Sequence, residues 1–593
     1  MKLILKYLKP YTFLILGITV LTAARGVTEL MLPQYLGNFI SEGIEVGNTE
    51  KMWYFALIML IITIVGVGVT VLSSFLEARV STNFGYDLRL AVYDKVSEFS
   101  IAELNDFTVS SLITRSTQDI QQLQMVTNMS LRMLILQPVL AIGGIVFAIR
   151  THAPLSIIIA VGIVSLLVML GAIFMISIPK FTIMQRLYDR INLVTRETLS
   201  GVKVIRAFDG DELQEDRFDD VNKEVYKTGR FINILLSLTW PFMSVVLGMI
   251  GVFIIYFGAS RYLNMDGFSY ESLIILNIYA TRVIMAFMMM SFMFVMIPRA
   301  LVSANRIRLV LDRKPSITDP ENPYSLVKED NDYLITNHEN EEVKLTGQVE
   351  FRNVCFQYPD AEAKILDEIS FTANANETVA FIGSTGSGKS TLINLLPRFY
   401  DVTCGEILID GVNIRDLKLK DLRDVLGYVP QQGFLFTGTV KDNISYGQDL
   451  EDEEVWEALE ISQASFVNNL EGKLDYEIVQ GGTNVSGGQR QRLSIARAVA
   501  KKPLILIFDD SFSALDYKTD ADLRKRLETV NGTKLIVAQR VATVMTADKI
   551  IVLDKGRMLA MGKHEELLKT CPVYYEIAQS QLSEEELQNA RRS

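Results

Sequence analysis

"VAFIGSTGSGKSTLINLL", residues 379–396, runs from an apolar strand-like stretch through a glycine-rich turn into a helical pattern. Gly383 and Gly388 bracket the spacing GxxxxGK[ST], which lets successive backbone N–H groups curl around phosphate oxygens. The loop comprises Gly383, Ser384, Thr385, Gly386, Ser387, Gly388, Lys389, Ser390 and Thr391. Lys389 has the reach for terminal phosphates, and the Ser390 hydroxyl is the ligand type that Mg²⁺ takes. Many folds use such a loop, so the flanking chain must separate them.

Two further stretches do so. "LILIFDDSFSALD", residues 504–516, is an apolar strand ending in Asp509, the position for an aspartate that holds Mg²⁺ through water. "NVSGGQRQRLSIARA", residues 484–498, places two glycines after Ser486 and opens a helix near Gln489, a second anion-binding N-terminus. From 348 to about 582 apolar β-branched runs alternate with amphipathic helical stretches, the pattern of an α/β domain.

The first 300 residues differ in kind. Of 593 residues 49% are hydrophobic, and mean hydropathy is +0.23, which points to a membrane protein. Six apolar stretches, near 12–37, 52–78, 130–149, 154–178, 233–259 and 271–297, are each long enough for a bilayer core of about 30 Å. The first continues well past a signal-peptide h-region. Short joints at 41–51, 150–153 and 260–270 alternate with long basic ones at 79–129 and 179–232. By the positive-inside rule the long joints, both termini and the second half are cytoplasmic at the cell membrane. The long joints read as helical extensions of the spans, either a device that transmits force or a rigid stalk. Residues 315–347, polar and acidic, read as a linker with room for a short hairpin, and 583–593 as a tail. A net charge of −11 argues against nucleic acid as a partner. Cys355, Cys404 and Cys571 are scattered, which argues against a disulfide framework or metal site, and the histidines are only His152, His338 and His564.

Taken together, these motifs resemble an ATP-binding cassette (ABC) exporter half-transporter, over nearly the whole chain. The resemblance implies an all-α six-helix transmembrane domain (1–314) of the type I exporter, or type IV, fold, followed by an α/β P-loop ATPase domain (348–582). It implies ATP and Mg²⁺ as cofactors, with Ser390, Gln431 of "GYVPQQ" and Asp509 at the metal. Tyr358 of "FQYPD" resembles the residue that stacks on adenine, and Asp516 the one that communicates between sites. Ser486, Gly487, Gly488 and Gln489 resemble the signature loop, with Val485 in place of leucine. In this family that loop closes on the ATP of a second subunit, so one phosphate loop per chain implies a dimer. "KYLKPY", residues 6–11, resembles the elbow helix. "RETLSGVKVIRAF", residues 196–208, resembles a coupling segment, and a second coupling segment is expected near 102–112.

Two departures fall at the two catalytic positions. The general base is Asp510 where the family has glutamate, and "KLIVAQRVAT" carries Gln539 where it has the switch histidine. A shorter carboxylate stands about 1 Å off the water-activating position, which can cost on the order of 100-fold. A neutral amide cannot become cationic to stabilise phosphoryl charge. The expected arrangement is a heterodimer resembling bacterial multidrug exporters, with a homologous partner holding an intact Glu and His. A homodimer with slow hydrolysis is the alternative.

For the cargo, "RVIMAFMMMSFMFVMIP", residues 282–298, offers polarizable methionines and aromatics that adapt to drug-like hydrophobic or amphipathic shapes, though ordinary helix packing also uses them. The cavity candidates are Trp240, Arg282, Met285, Met289, Phe292, Met293 and Met296, with Phe242 beside them. A lipid flippase, a peptide exporter and a nucleotide-gated regulator or channel are the other readings. The peptide-exporter subtype is disfavoured because only about eleven residues precede the first span.

Overall fold

The computed structural model describes residues 2–263, 270–329, 332–336, 342–359 and 361–582. His338 and the tail 583–593 lie outside them. The chain forms two units, Met1–Ser97 with Val109–Arg313, and Glu98–Thr108 with Lys314–Ser593.

In the first unit five helices among the described residues are long and apolar enough to cross a membrane: Leu3–Ile44, Thr49–Ser97, Val109–Ser200, Asp211–Ser260 and Tyr270–Leu311. The third and fourth of the six expected spans, 130–149 and 154–178, therefore fall inside one of them. That helix is broken at His152, whose backbone is extended at φ −162° and ψ 101°. Ile145, Ala148, Ile159 and Ile163 line one cavity of 330 Å³. In a straight helix Ile145 and Ile163 would be roughly 27 Å apart, so the chain folds back at the expected joint. Leu57, Ile61, Ile64 and Val71 on Thr49–Ser97 are exposed, as suits contact with lipid. Buried Tyr279 donates its hydroxyl to the Leu30 carbonyl at 2.9 Å, tying the last long helix to the first.

The second unit is built on a six-stranded sheet of order β15-β14-β6-β13-β12-β9. Its strands are β6 (Thr378–Gly383), β9 (Leu426–Val429), β12 (Ile505–Asp509), β13 (Thr533–Val537), β14 (Lys549–Asp554) and β15 (Arg557–Gly562), parallel except for the β14–β15 pair. Each residue of β12 and β13 is buried, because both faces of a parallel sheet are covered. A four-stranded sheet joins β4 (Val349–Phe356), β5 (Leu366–Ala373), β7 (Cys404–Ile409) and β8 (Val412–Asn413).

The segment expected as a linker forms a three-stranded antiparallel sheet, β1 (Ser325–Glu329), β2 (Asp332–Thr336) and β3 (Glu342–Leu345). Tyr333 and Ile335 alternate inward on β2 and, with Leu345, join the core beneath β4 and β5. Strand register also brings Cys355 of β4 opposite Cys404 of β7, Cα atoms 4.9 Å apart, in a disulfide. A separation of 49 residues hid that pairing from the sequence, where the odd, scattered cysteines argue against a disulfide framework; Cys571 is free and buried.

Two stability predictions follow from this packing. Ile335→Ala should cost the nucleotide-binding unit about 2–4 kcal/mol, whereas Val327→Ala on the exposed side of β1 should be near neutral; thermal unfolding of the purified chain distinguishes them. Burial pushes the His564 imidazole below its ordinary 6.5, and its Nδ1 lies 2.7 Å from the Tyr574 hydroxyl. The unfolded chain then takes up the proton first, so this contribution is present above pH 6.5 and fades as pH falls through the lowered value. His564→Gln should flatten that part of the stability–pH curve.

Candidate functional site

The phosphate loop leaves β6 and enters the short helix Lys389–Asn394. Lys389 Nζ donates to Gly383 O at 2.9 Å and Ser384 O at 2.8 Å, which holds the ammonium over the loop. Gly386 has φ +81°, and a Cβ there would meet no atom within 4 Å, so the loop is open at this point. Gly388, at φ +96°, has no such room: a Cβ would sit 2.8 Å from Leu366 Cδ2. The Ser390 hydroxyl donates to Asp509 Oδ1 at 2.6 Å. Hard oxygen ligands, Ser390 Oγ and Asp509 Oδ1, therefore converge beside the open glycine loop, and these residues fit Mg²⁺ and the phosphates of ATP.

Asp509 ends β12 and Gln539 follows β13, neighbouring parallel strands, so their side chains emerge at one sheet edge. Asp510, turned into the left-handed region at φ +47°, accepts at a single oxygen, Oδ2, from Gln539 Nε2 at 2.8 Å and from Gln431 Nε2 at 3.3 Å. Both expected catalytic departures and the expected lid glutamine thus meet in one hydrogen-bonded cluster. Burial pushes the carboxyls of both Asp509 and Asp510 above the ordinary range, and for Asp509 the neighbouring Asp510 charge adds to this. Burial likewise lowers Lys389, which the two aspartates partly restore.

Tyr358 meets two aromatic partners edge-on, Phe356 at 4.8 Å and Tyr400 at 5.2 Å, and its hydroxyl is 3.1 Å from Thr391 Oγ1 of the phosphate loop. Tyr400 was missed by the sequence reading, since it lies beyond the motif. Its hydroxyl in turn accepts from Asn105 Nδ2 at 3.5 Å, on the helix Ile101–Phe107 that packs within this same unit. That helix overlaps the expected coupling segment 102–112. Glu103 anchors it by accepting from the Ser100 hydroxyl at 2.5 Å and the Ser316 N–H at 3.2 Å. The other coupling segment contains the helix Val202–Ala207, where Val204 and the following Phe208 are exposed.

Ser486 caps the helix Gly487–Ala500 with a reciprocal capping box: its Oγ accepts from the Gln489 N–H, and Gln489 Oε1 accepts from the Ser486 N–H. Gly487 has nothing within 4 Å of its Cβ position, and Gly488 approaches the Ala514 carbonyl. Asp516 caps the helix Tyr517–Leu527 through the Thr519 N–H at 3.1 Å.

In the membrane unit, Met285, Met289, Phe292 and Met296 recur at helical spacing after Arg282, with Phe292 47% exposed. Trp240 and Phe242 are exposed on the helix Thr239–Leu263. Met293 departs from the sequence expectation: at 3% exposed it lies at the margin of the Met289–Phe292 face, where the helix turns into its own unit. Arg282 is paired, donating from Nη1 to Glu29 Oε2 at 2.8 Å.

Tyr358→Ala should weaken binding of a fluorescent ATP analogue by up to about 10-fold, the scale of one aromatic stack. Tyr400→Ala, which removes only Tyr358's support, should weaken it less, and Tyr400→Phe should leave it unchanged.

Comparison with known proteins agrees with this geometry. A family model described as the ABC transporter transmembrane region matches residues 14–288, and one described as ABC transporter matches residues 366–513. The chain is 36% identical to an ABC transporter ATP-binding protein of Mycobacterium tuberculosis, covering 98% of each chain. It is 32% identical to an ATP-dependent lipid A-core flippase of Syntrophus aciditrophicus (91% of this chain, 87% of the relative). It is 29% identical to a multidrug resistance ABC transporter ATP-binding and permease protein of Lactococcus lactis (97% and 94%). The solved structure of a bacterial Atm1-family ABC exporter with ATP bound superposes with a TM-score of 0.76 at 23% identity, covering 97% of this chain and 99% of that one, and so shares its fold. The chain belongs to the ABC transporter family, as an exporter half-transporter that joins a membrane-spanning unit to an ATP-binding unit.

Proposed function

We propose that this chain is the degenerate-site half of a heterodimeric exporter of hydrophobic or amphipathic compounds at the cell membrane. The observation that carries the reading is the Asp510 carboxylate, one methylene short and tied through one oxygen to the amides of Gln431 and Gln539. A base must be within reach of the water it activates, and this one is shortened and already engaged.

The third long helix supplies two of six spans in this reading, and the domains are 1–314, a joining segment 315–347, 348–582 and a tail. Mg²⁺ bound at Ser390 and Asp509, with Gln431 beside them, would neutralise charge between the terminal phosphates. The loop 383–391 binds those phosphates, Lys389 presents its ammonium to them, and Tyr358 with Tyr400 behind it holds the base. Gln539 positions Asp510 but carries no cation to the transferring group. Ser486, Gly487, Gly488 and Gln489 complete the partner's site, which supplies its own Glu and His. Asp516 communicates between the two sites. Closure of the nucleotide domains reaches the spans through the helix Ile101–Phe107 and the segment near 198–208. With hydrolysis mainly at the partner's site, this chain's own site stays occupied as a hinge.

The exposed Trp240 and the Met285–Met289–Phe292–Met296 face support an adaptable apolar cavity. Similarity to a flippase supports lipid movement as the second reading.

ATP turnover by the chain alone, then with its candidate partner, each with and without Asp510→Glu plus Gln539→His, tests the proposal. Expected are negligible turnover alone, brisk turnover of the pair, and little effect of the reversions in the pair. Robust turnover by the unmodified chain alone would establish a working homodimer instead.

A further inference from the structure

Arg25 stands at the midpoint of the helix Thr12–Asn38, and Arg282 lies roughly 18 Å from the start of Tyr270–Leu311 at 1.5 Å per residue, so both fall deep within their spans. Between them sits one carboxylate. Glu29 Oε1 accepts from Arg25 Nε at 3.0 Å, and Glu29 Oε2 accepts from Arg282 Nη1 at 2.8 Å. Both oxygens are engaged, while each guanidinium has five N–H donors and gives one to this contact. Two cations contact this anion, and the buried Glu77 carboxylate also lies within electrostatic reach of Arg25, so several charges gather at a depth where charge is expensive and marks function.

A purely structural staple between these helices needs one arginine. The helices are in any case joined at this level by the Tyr279–Leu30 hydrogen bond, next in sequence to Glu29. The second guanidinium, Arg25, is on the same helix as Glu29 and so does not itself join these two helices. Arg282 keeps 42% of its side chain exposed, and Met285, Met289 and Phe292 follow it along the helix, the last two exposed. Charge of this kind does not face acyl chains, so the shared face borders water or a ligand.

We propose that Arg25, Glu29 and Arg282 form a recognition site for the anionic group of an amphipathic organic acid, with Met285, Met289 and Phe292 taking its apolar part. The inference rests on the exporter reading and names the substrate class. Guanidinium forks match carboxylate and phosphate oxygens, and the methionines conform to varied apolar shapes. A cationic amphiphile is disfavoured here, because two guanidiniums already flank the Glu29 carboxylate and repel a third cation.

The test is equilibrium fluorescence binding of 11-(dansylamino)undecanoic acid, and of its methyl ester, to the full chain in phosphatidylcholine nanodiscs. The acid should bind more tightly than the ester. Arg282→Gln should weaken the acid about 10-fold, the scale of a hydrogen bond to a charged group, and leave the ester unchanged. Arg282→Lys should restore part of the loss. Glu29→Gln should act in the opposite direction and tighten the acid, since it frees both guanidiniums; this sign survives as a test if Arg282→Gln fails to fold. Replacing part of the phosphatidylcholine with phosphatidylglycerol distinguishes the source: displacement of the probe identifies a lipid headgroup, and retention a free amphipathic acid. Equal affinity for acid and ester, or weaker acid binding in Glu29→Gln, would overturn the proposal. Binding needs neither ATP nor a partner, so a failed transport assay would overturn the exporter reading while leaving this result standing.

Discussion

The parallel register of β6, β13 and β12 is the constraint on which the rest of the nucleotide site depends. Val537 pairs with both Phe381 and Asp509, so β12 and β13 end at a common level and β6 runs two residues further, to Gly383, before the phosphate loop. The phosphate loop, the Asp509–Asp510 pair and Gln539 all leave the sheet at that edge. Positions far apart in sequence become hydrogen-bond neighbours because adjacent parallel strands advance together, with both faces of the sheet buried and slippage therefore costly.

At this edge the two departures from the family pattern act as one cluster. An aspartate alone would leave a shortened base with freedom to move. A glutamine alone would remove a switch cation. Together they form a hydrogen bond of 2.8 Å, with Gln431 donating to the same oxygen, in surroundings that favour a satisfied polar cluster over an isolated charge. Such a cluster leaves the Asp510 carboxylate engaged, and the proposed division of labour between two chains rests on that observation.

The membrane unit follows different physics. Without a hydrophobic drive between helices, close approach and a few polar contacts hold the bundle. Gly144 lies so near Val283 that a Cβ there would stand 2.6 Å from the valine methyl, and Tyr279 bonds the Leu30 carbonyl. Against that background the two arginines on Glu29 stand out as charge gathered within the spans.

The amino-acid sequence by itself determined the two-part organisation, and it set out the phosphate loop, Asp509, the signature loop and both catalytic departures as expectations. Each of these is a local pattern whose chemistry depends on fixed spacing along the chain, and Lys389 and Ser390 could be assigned without knowing any neighbour. Apolar length likewise marked the spans, and the joint at 150–153 coincides with the extended backbone at His152. Tertiary structure alone decided what pairs across distance: Glu29 with Arg282, Tyr400 behind Tyr358, Cys355 opposite Cys404, and Gln539 on Asp510. It also decided which side of a helix is covered, so that Met293 is buried while Phe292 beside it is exposed, and it turned an acidic segment into the sheet β1–β3 seated on the domain core. Composition records how apolar or charged a segment is. Which atoms meet depends on strand register and helix rotation, and those are fixed only when the whole core closes.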